Sequence, residues 1–196
     1  MFNNDHEQTN EARPNKSRVF LLKHITQALP DLSGHLIFWS LSLTGTALDL
    51  WTKKIVFEYL QTKPDYSVTI IKGFFSLVTA LNNGAAFGIV QGQSFLLTLI
   101  SFFALLIVIA VFLFGSIKNR FYQVTMGLLA AGISGNLYDR IFNDGSVRDF
   151  IDVVYWPGKH WPAFNVADSL LCIAVGLILL VGLTQKPCQK HAQQQK

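Results

Sequence analysis

Charge is what this sequence lacks most. Lys, Arg, Asp and Glu together make up 14% of its 196 residues, where an ordinary soluble domain has about a quarter. Apolar residues reach 51% and aromatics 13%, so the class is membrane protein, and one domain is the natural count at this length. Cysteine is nearly absent: Cys172 falls inside an apolar run and Cys188 in a polar tail, which argues against a disulfide framework. A basic stripe is missing too. The net charge is +4 with Lys and Arg scattered, so there is no nucleic-acid footprint. No HExxH pair and no Cys/His cluster supports a metal, since His160 stands alone in its loop and His6, His24, His35 and His191 fall elsewhere. No Ser has a credible His base, and no glycine-rich phosphate loop follows a strand. Neither a metal nor a cofactor is expected. Residues 1–18 are polar, without the charged-then-apolar layout of a cleaved leader, so the first apolar run reads as a retained span.

Long apolar runs are what the chain does have. Leu36 to about Val56, Ser94 to Phe114, Phe121 to Leu137 and Ala163 to Leu183 each read as a span, for which about 20 residues suffice. Before them, Val19–Leu29 is a short, mildly amphipathic segment suited to the membrane surface, ended by Pro30. Residues 57–93 contain the β-branched run SVTII and the turn signal Asn82-Asn83-Gly84, followed by the small residues of Ala85-Ala86-Phe87-Gly88; they predict short strands and turns in a flap on the membrane surface. Residues 141–162 read as a loop in which Phe150, Val153, Val154 and Trp156 press an amphipathic turn into the interface, with Trp156 and Trp161 in an interfacial belt.

The expected fold is an all-α integral membrane protein, a four-transmembrane-helix bundle with a small β-rich extracytoplasmic flap between helices 1 and 2. Residues 1–34 are expected to form a polar cytoplasmic arm, 35–184 a four-span membrane domain and 185–196 a cytoplasmic tail. Four spans put both termini on one side, which carries nine Lys and Arg against seven on the other. The connecting loop on the terminal side is short and purely basic (Lys118, Arg120), which favours the cytoplasm for that side.

Polar residues near lipid are costly and are functional candidates by default. Here they gather between Gly132 and Asp168. Gly127, Ala131 and Gly135 recur every four residues as a ridge that admits a close neighbouring helix, and Gly132, Asn136 and Arg140 form an adjacent ridge. Singly, Asn136 reads as interhelical hydrogen-bond glue and Arg140 as a snorkelling anchor; aligned, they point to a site. Asp49 and Lys53 share a helix face with Gly45 one turn earlier, and alone read as an ion pair satisfying itself at the membrane boundary. Asn82 alone reads as a turn residue, and Asp144 and Asp152 as solvated loop charges.

Asp149 follows the third run and Asp168 opens the fourth, so both reach the same membrane face. Two carboxylates in close contact share a proton and titrate as a unit. One can then draw a proton from water while the other donates one to a carbonyl oxygen, as in aspartic peptidases. Asn136 and Asn165 would orient the pair, and Arg140 would hold a peptide carbonyl or the developing oxyanion. Two other readings stay open: a small membrane transporter using its acids as a proton relay, for which acids near the bilayer midplane are expected, and a scaffold that needs only the small-residue ridges.

Asp49-Leu-Trp-Thr-Lys53, Asn82-Asn-Gly-Ala-Ala-Phe87, Gly132-Ile-Ser-Gly-Asn-Leu-Tyr-Asp-Arg140, Val147-Arg-Asp-Phe150 and Phe164-Asn-Val-Ala-Asp-Ser169, in this order over roughly residues 36–183, resemble the motif set of lipoprotein signal peptidase, signal peptidase II. The resemblance implies a four-span aspartic endopeptidase of the bacterial inner (cytoplasmic) membrane, with its site at the periplasmic surface. Its substrates would be diacylated prolipoproteins, cut just before the lipidated cysteine. It implies a catalytic pair at Asp149 and Asp168, with Asp49, Lys53, Asn82, Gly132, Asn136, Asp139, Arg140, Asn165 and Ala167 binding substrate or in support. It further implies membrane lipids as partners, inhibition by the peptide antibiotic globomycin, and a monomer. The long polar arm and the Gln-rich tail depart from the pattern and touch none of these residues.

Overall fold

The structure, a computed structural model, describes residues 30–84 and 92–184. The expectations for residues 1–29 of the arm, Val19–Leu29 among them, for Ala85-Ala86-Phe87-Gly88, and for the tail from residue 185 lie outside the described residues, while the last three residues of the expected arm, 32–34, are the start of a helix. Four helices are present among them: α1 (Leu32–Gln61), α2 (Ser94–Phe114), α3 (Arg120–Phe142) and α4 (Val166–Thr184). By length and composition, α2 and α4 are apolar enough to cross a membrane. Both leave large apolar side chains such as Phe95, Phe103, Ile107 and Leu179 exposed, as a lipid-facing helix would.

Longer α1 starts four residues earlier than its apolar run, because Asp31 caps it: the carboxylate accepts the Gly34 N–H at 2.9 Å. The same carboxylate takes both Nη atoms of Arg120, at 2.7 and 2.5 Å, and so ties the starts of α1 and α3. Hydrogen bonding to Arg120 holds the Asp31 carboxyl down at about 2. Along α1, Thr46 and Thr52 return their hydroxyls to carbonyls one turn back, at 2.8 Å each, which satisfies them without water. Near that end of the bundle Phe38 stacks on Phe112, ring centroids 3.9 Å apart.

Helix α3 is the centre of the bundle. The Gly127/Ala131/Gly135 ridge faces α1, where a Cβ on Gly127 would stand 3.1 Å from the Phe38 carbonyl oxygen and the Thr46 hydroxyl donates to the Ala131 carbonyl at 3.3 Å. The Gly132/Asn136 ridge faces α4; a Cβ on Gly132 would sit 2.6 Å from the Ala167 carbonyl oxygen. Small residues on both faces therefore let one helix touch two neighbours at backbone distance.

The sheet corrects the expected all-α architecture. Strands β1 (Ser67–Ile71), β2 (Phe75–Asn82), β3 (Val147–Trp156) and β4 (Lys159–His160) form one antiparallel array in the order β1-β2-β3-β4. Half of it comes from between α3 and α4, so the β structure is not confined to the connection between helices 1 and 2. Residues 141–162 are accordingly not a loop with an amphipathic turn. The run Val-Arg-Asp-Phe-Ile-Asp-Val-Val-Tyr-Trp is rich in β-branched and aromatic residues, and β2 offers it a partner edge, with Asn82 opposite Val147 and Ala80 opposite Asp149. Asp152 and His160 change with it: Asp152 is half-buried on β3 and meets the His160 Nδ1 on β4 at 2.8 Å, so neither stands alone. Asp144 remains an exposed turn residue, at φ 50°.

Candidate active site

Asp149 and Asp168 reach one place from different kinds of backbone. Asp149 lies on β3 and is 2% exposed. Beyond it, the Phe164 carbonyl accepts the N–H groups of Phe150 and Ile151 at 3.0 and 2.8 Å, so the chain entering α4 is laced to the strand beside Asp149. Asp168 sits in the first turn of α4, where a carboxylate is favoured by the helix dipole. Asn165, three residues earlier, accepts the Asp168 N–H on its Oδ1 at 2.9 Å, while the Asp168 Oδ2 accepts the Asn165 N–H at 3.2 Å. This reciprocal pair is a capping box.

Asn165 is also the bridge. Its buried side-chain amide donates to the Asp149 Oδ1 at 2.6 Å and to the Asn136 Oδ1 at 3.1 Å. Asn136 in turn donates to the Asp168 Oδ1 at 2.7 Å, and Asn82 donates to the Asp149 Oδ2 at 3.0 Å. Asn82 keeps its turn role as well, since its Oδ1 accepts the Gly84 N–H at 3.0 Å. Burial, reinforced by the charge of Asp168, pushes the Asp149 carboxyl up to about 7, against the hydrogen bonds from Asn82 and Asn165 that favour its ionised form.

Behind the pair lies a buried ion cluster. Lys53, with no exposure, has its Nζ 2.7 Å from Asp49 and 3.2 Å from Asp139, and donates to the Asn136 Oδ1 at 3.1 Å. Asp49 and Lys53 are therefore not a self-contained boundary pair. Asp49 also accepts the Ala167 N–H at 2.8 Å, which explains why α4 must come close and why Gly132 and Gly135 carry no side chain. Asp139 accepts the Arg148 backbone N–H at 2.9 Å and its guanidinium at 2.6 and 3.1 Å. Arg148, quoted above only within the Val147-Arg-Asp-Phe150 motif, is the neighbour to which sequence reasoning gave no role. Strand alternation turns it away from the face of Asp149, and nothing local announces its partner on α3. The Asn83 and Ser146 side chains also hydrogen-bond to each other, a link between the end of β2 and the start of β3 that neither residue's local sequence announces.

The cluster borders an open pocket of about 830 Å³ whose lining combines the polar Asn82, Asn136, Arg140, Asp149 and Asp168 with apolar residues such as Leu81, Phe164, Leu171 and Ile173. Arg140 donates to the Gly84 carbonyl at 3.3 Å, and its buried Nε has no partner among the described residues. Two carboxylates linked through Asn165, an Arg140 Nε without a partner among the described residues and a set of apolar side chains are thus brought to one opening. No group of His, Cys, Asp and Glu suited to holding a metal occurs among the described residues.

Comparisons with known proteins place the chain in a family. The family model described as Signal peptidase (SPase) II matches residues 41–184. The chain is 40% identical over 148 residues to the lipoprotein signal peptidase of Syntrophus aciditrophicus (strain SB), covering 73% of this chain and 89% of that protein. It is 37% identical over 153 residues to the lipoprotein signal peptidase of Sulfurihydrogenibium sp. (strain YO3AOP1), covering 75% and 90%. In three dimensions it is similar to a bacterial membrane enzyme solved by the in meso method, with TM-score 0.68 and 32% identity over 87% of this chain and 99% of the other. The chain belongs to the signal peptidase II family.

Proposed function

We propose that this chain is a membrane-embedded aspartic endopeptidase that removes the signal peptide of diacylglyceryl-modified prolipoproteins, cutting just before the lipidated cysteine. The observation that carries the reading is the Asn165 bridge, which holds Asp149 through its side chain and Asp168 through its backbone at the mouth of the apolar-walled pocket. Family membership supports the substrate class.

Asp149, protonated near neutral pH, acts as the acid and Asp168 as the base. Asp168 takes a proton from a water whose oxygen attacks the scissile carbonyl carbon, and Asp149 gives its proton to the carbonyl oxygen. The tetrahedral intermediate collapses as the proton held by Asp168 passes to the leaving amine and Asp149 takes back a proton from one of the two hydroxyls, which leaves the carboxylic acid and restores both side chains. Arg140, whose Nε has no partner among the described residues, supports the developing negative charge. Asn82 and Asn165 keep the acid aligned, and Asn136 the base.

We read the four helices as four spans, with residues 35–184 as the catalytic membrane domain and the arm (1–34) and tail (185–196) in the cytoplasm. The site then lies at the periplasmic surface of the bacterial inner membrane, where a lipid-anchored cysteine delivers its peptide bond to helix ends. The same site would take globomycin, and one chain suffices as a monomer. A proton-relay transporter is less well supported, because the acids cluster at one end of the bundle. Purified chain is expected to cleave a diacylated precursor, and Asp149→Asn or Asp168→Asn to slow cleavage by at least about a thousandfold, the scale of lost acid–base catalysis. Turnover within tenfold of wild type in either variant would overturn the acid pair, and substrate counterflow in liposomes would favour the transporter.

A further inference from the structure

The buried cluster behind the acid pair holds two carboxylates and two cations. Lys53 lies between Asp49 and Asp139, and Arg148 closes on the far side of Asp139. Each carboxylate also grips one backbone N–H: Asp49 that of Ala167, the residue before Asp168, and Asp139 that of Arg148, the residue before Asp149. Lys53 is thus placed between two clamps, one for each member of the pair.

We propose that Arg148 is a positioning residue, which neutralises Asp139 and, held by that carboxylate through both backbone and guanidinium, fixes the strand beside Asp149. Without Arg148, two fully buried carboxylates would compete for one ammonium. Lys53 donates to Asn136, and Asn136 to Asp168, so a Lys53 drawn toward Asp139 would disturb the other acid as well. The Arg148 side chain is 23% exposed, and its guanidinium forks onto one carboxylate oxygen through Nε and Nη2, which holds it in place.

The charged groups around Asp149 are Asp168 from α4, Asp49 and Lys53 from α1, Asp139 and Arg140 from α3, and Arg148 from its own strand, while β2 contributes the neutral Asn82. Removing Arg148 makes this surrounding more negative by one charge. The role of the acid pair rests on the peptidase reading, but the test does not need turnover.

Infrared titration of the full chain in detergent, following the protonated-carboxyl band that Asp149→Asn removes, reads the pair directly. Arg148→Met is expected to raise its midpoint by about one pH unit, the order of effect of a unit charge about 10–15 Å away at an effective dielectric near 20. Arg148→Lys keeps the charge without the fork, and should leave the midpoint near wild type while lowering turnover. Asp139→Asn/Arg148→Met removes both charges and should bring the midpoint back. An unchanged midpoint in Arg148→Met, or a double variant shifted as far as the single one, overturns the proposal. If Arg148→Met does not fold, a shift in Arg148→Lys overturns it equally. Absence of precursor cleavage by wild type together with the expected shifts would remove the peptidase reading and leave Arg148 in its role; cleavage without the shifts would do the reverse.

Discussion

Asp149→Asn separates what the acid does for the reaction from what it does to the fold. The Asp149 carboxyl is raised to about 7, against about 3.9 for an unfolded Asp. A carboxyl raised by folding contributes its full stability below about pH 3.9 and loses it progressively as pH climbs through about 7. At about 1.4 kcal/mol per unit, the wild type gives up about 4 kcal/mol in total, of which about 2–3 kcal/mol falls between pH 5 and pH 8. Asn has no such term. It loses something else: one of the two amide donors, Asn82 or Asn165, would face an NH2 group instead of an oxygen. That penalty is about 1–3 kcal/mol and independent of pH. Thermal unfolding in detergent at pH 5 and pH 8 should therefore show the wild type losing about 5–10 °C more than the variant over that interval, at about 2–4 °C per kcal/mol for a chain of this size. Because every other group titrates in both proteins, parallel curves would refute the raised carboxyl.

Three further outcomes follow from the same contacts. Gly135→Ala drives a Cβ into the Asp49 carboxylate and to 3.1 Å from the Ala167 Cβ, so it should lower both the melting temperature and precursor turnover, whereas Gly176→Ala, with nothing within 4 Å, should change neither. Lys53→Met strands the buried Asp49 carboxylate, while Asp139 keeps Arg148, and is expected to destabilise by about 3–5 kcal/mol in denaturant titrations, with Asp49→Asn/Lys53→Met recovering part of the loss. His160→Ala breaks a pair that is 54% exposed on the histidine side, and should shift the melting midpoint by no more than the ~1 kcal/mol such surface pairs carry.

The polar site was largely legible because a charge within an apolar chain has to be paired or put to use. Asn136, Arg140, Asp149, Asn165 and Asp168 stood out by contrast with their neighbours, and all line or support one pocket. The small-residue ridges were readable because helical spacing is a local property. Strand β3 was not: its polar residues, Arg148, Asp149 and Asp152, follow no strict alternation and suit a surface loop equally well, and only the edge of β2, more than sixty residues earlier, makes them a strand. Arg148 shares that blindness, since its meaning resides in Asp139 on another element. Asn82 shows the opposite case, a turn signal correctly read whose second hydrogen bond carried the larger role.

The capping box at Asn165 and Asp168 has a consequence for biosynthesis. The last helix is also the last to be made, because chains grow from the N-terminus. Until α4 starts at Asn165, Asp149 has no bridging amide, Asp49 has no Ala167 N–H to hold, and the second acid is missing. A chain that stops short of Asn165 therefore lacks these contacts, and the proposed acid pair is completed only by the step that adds α4 to the bundle.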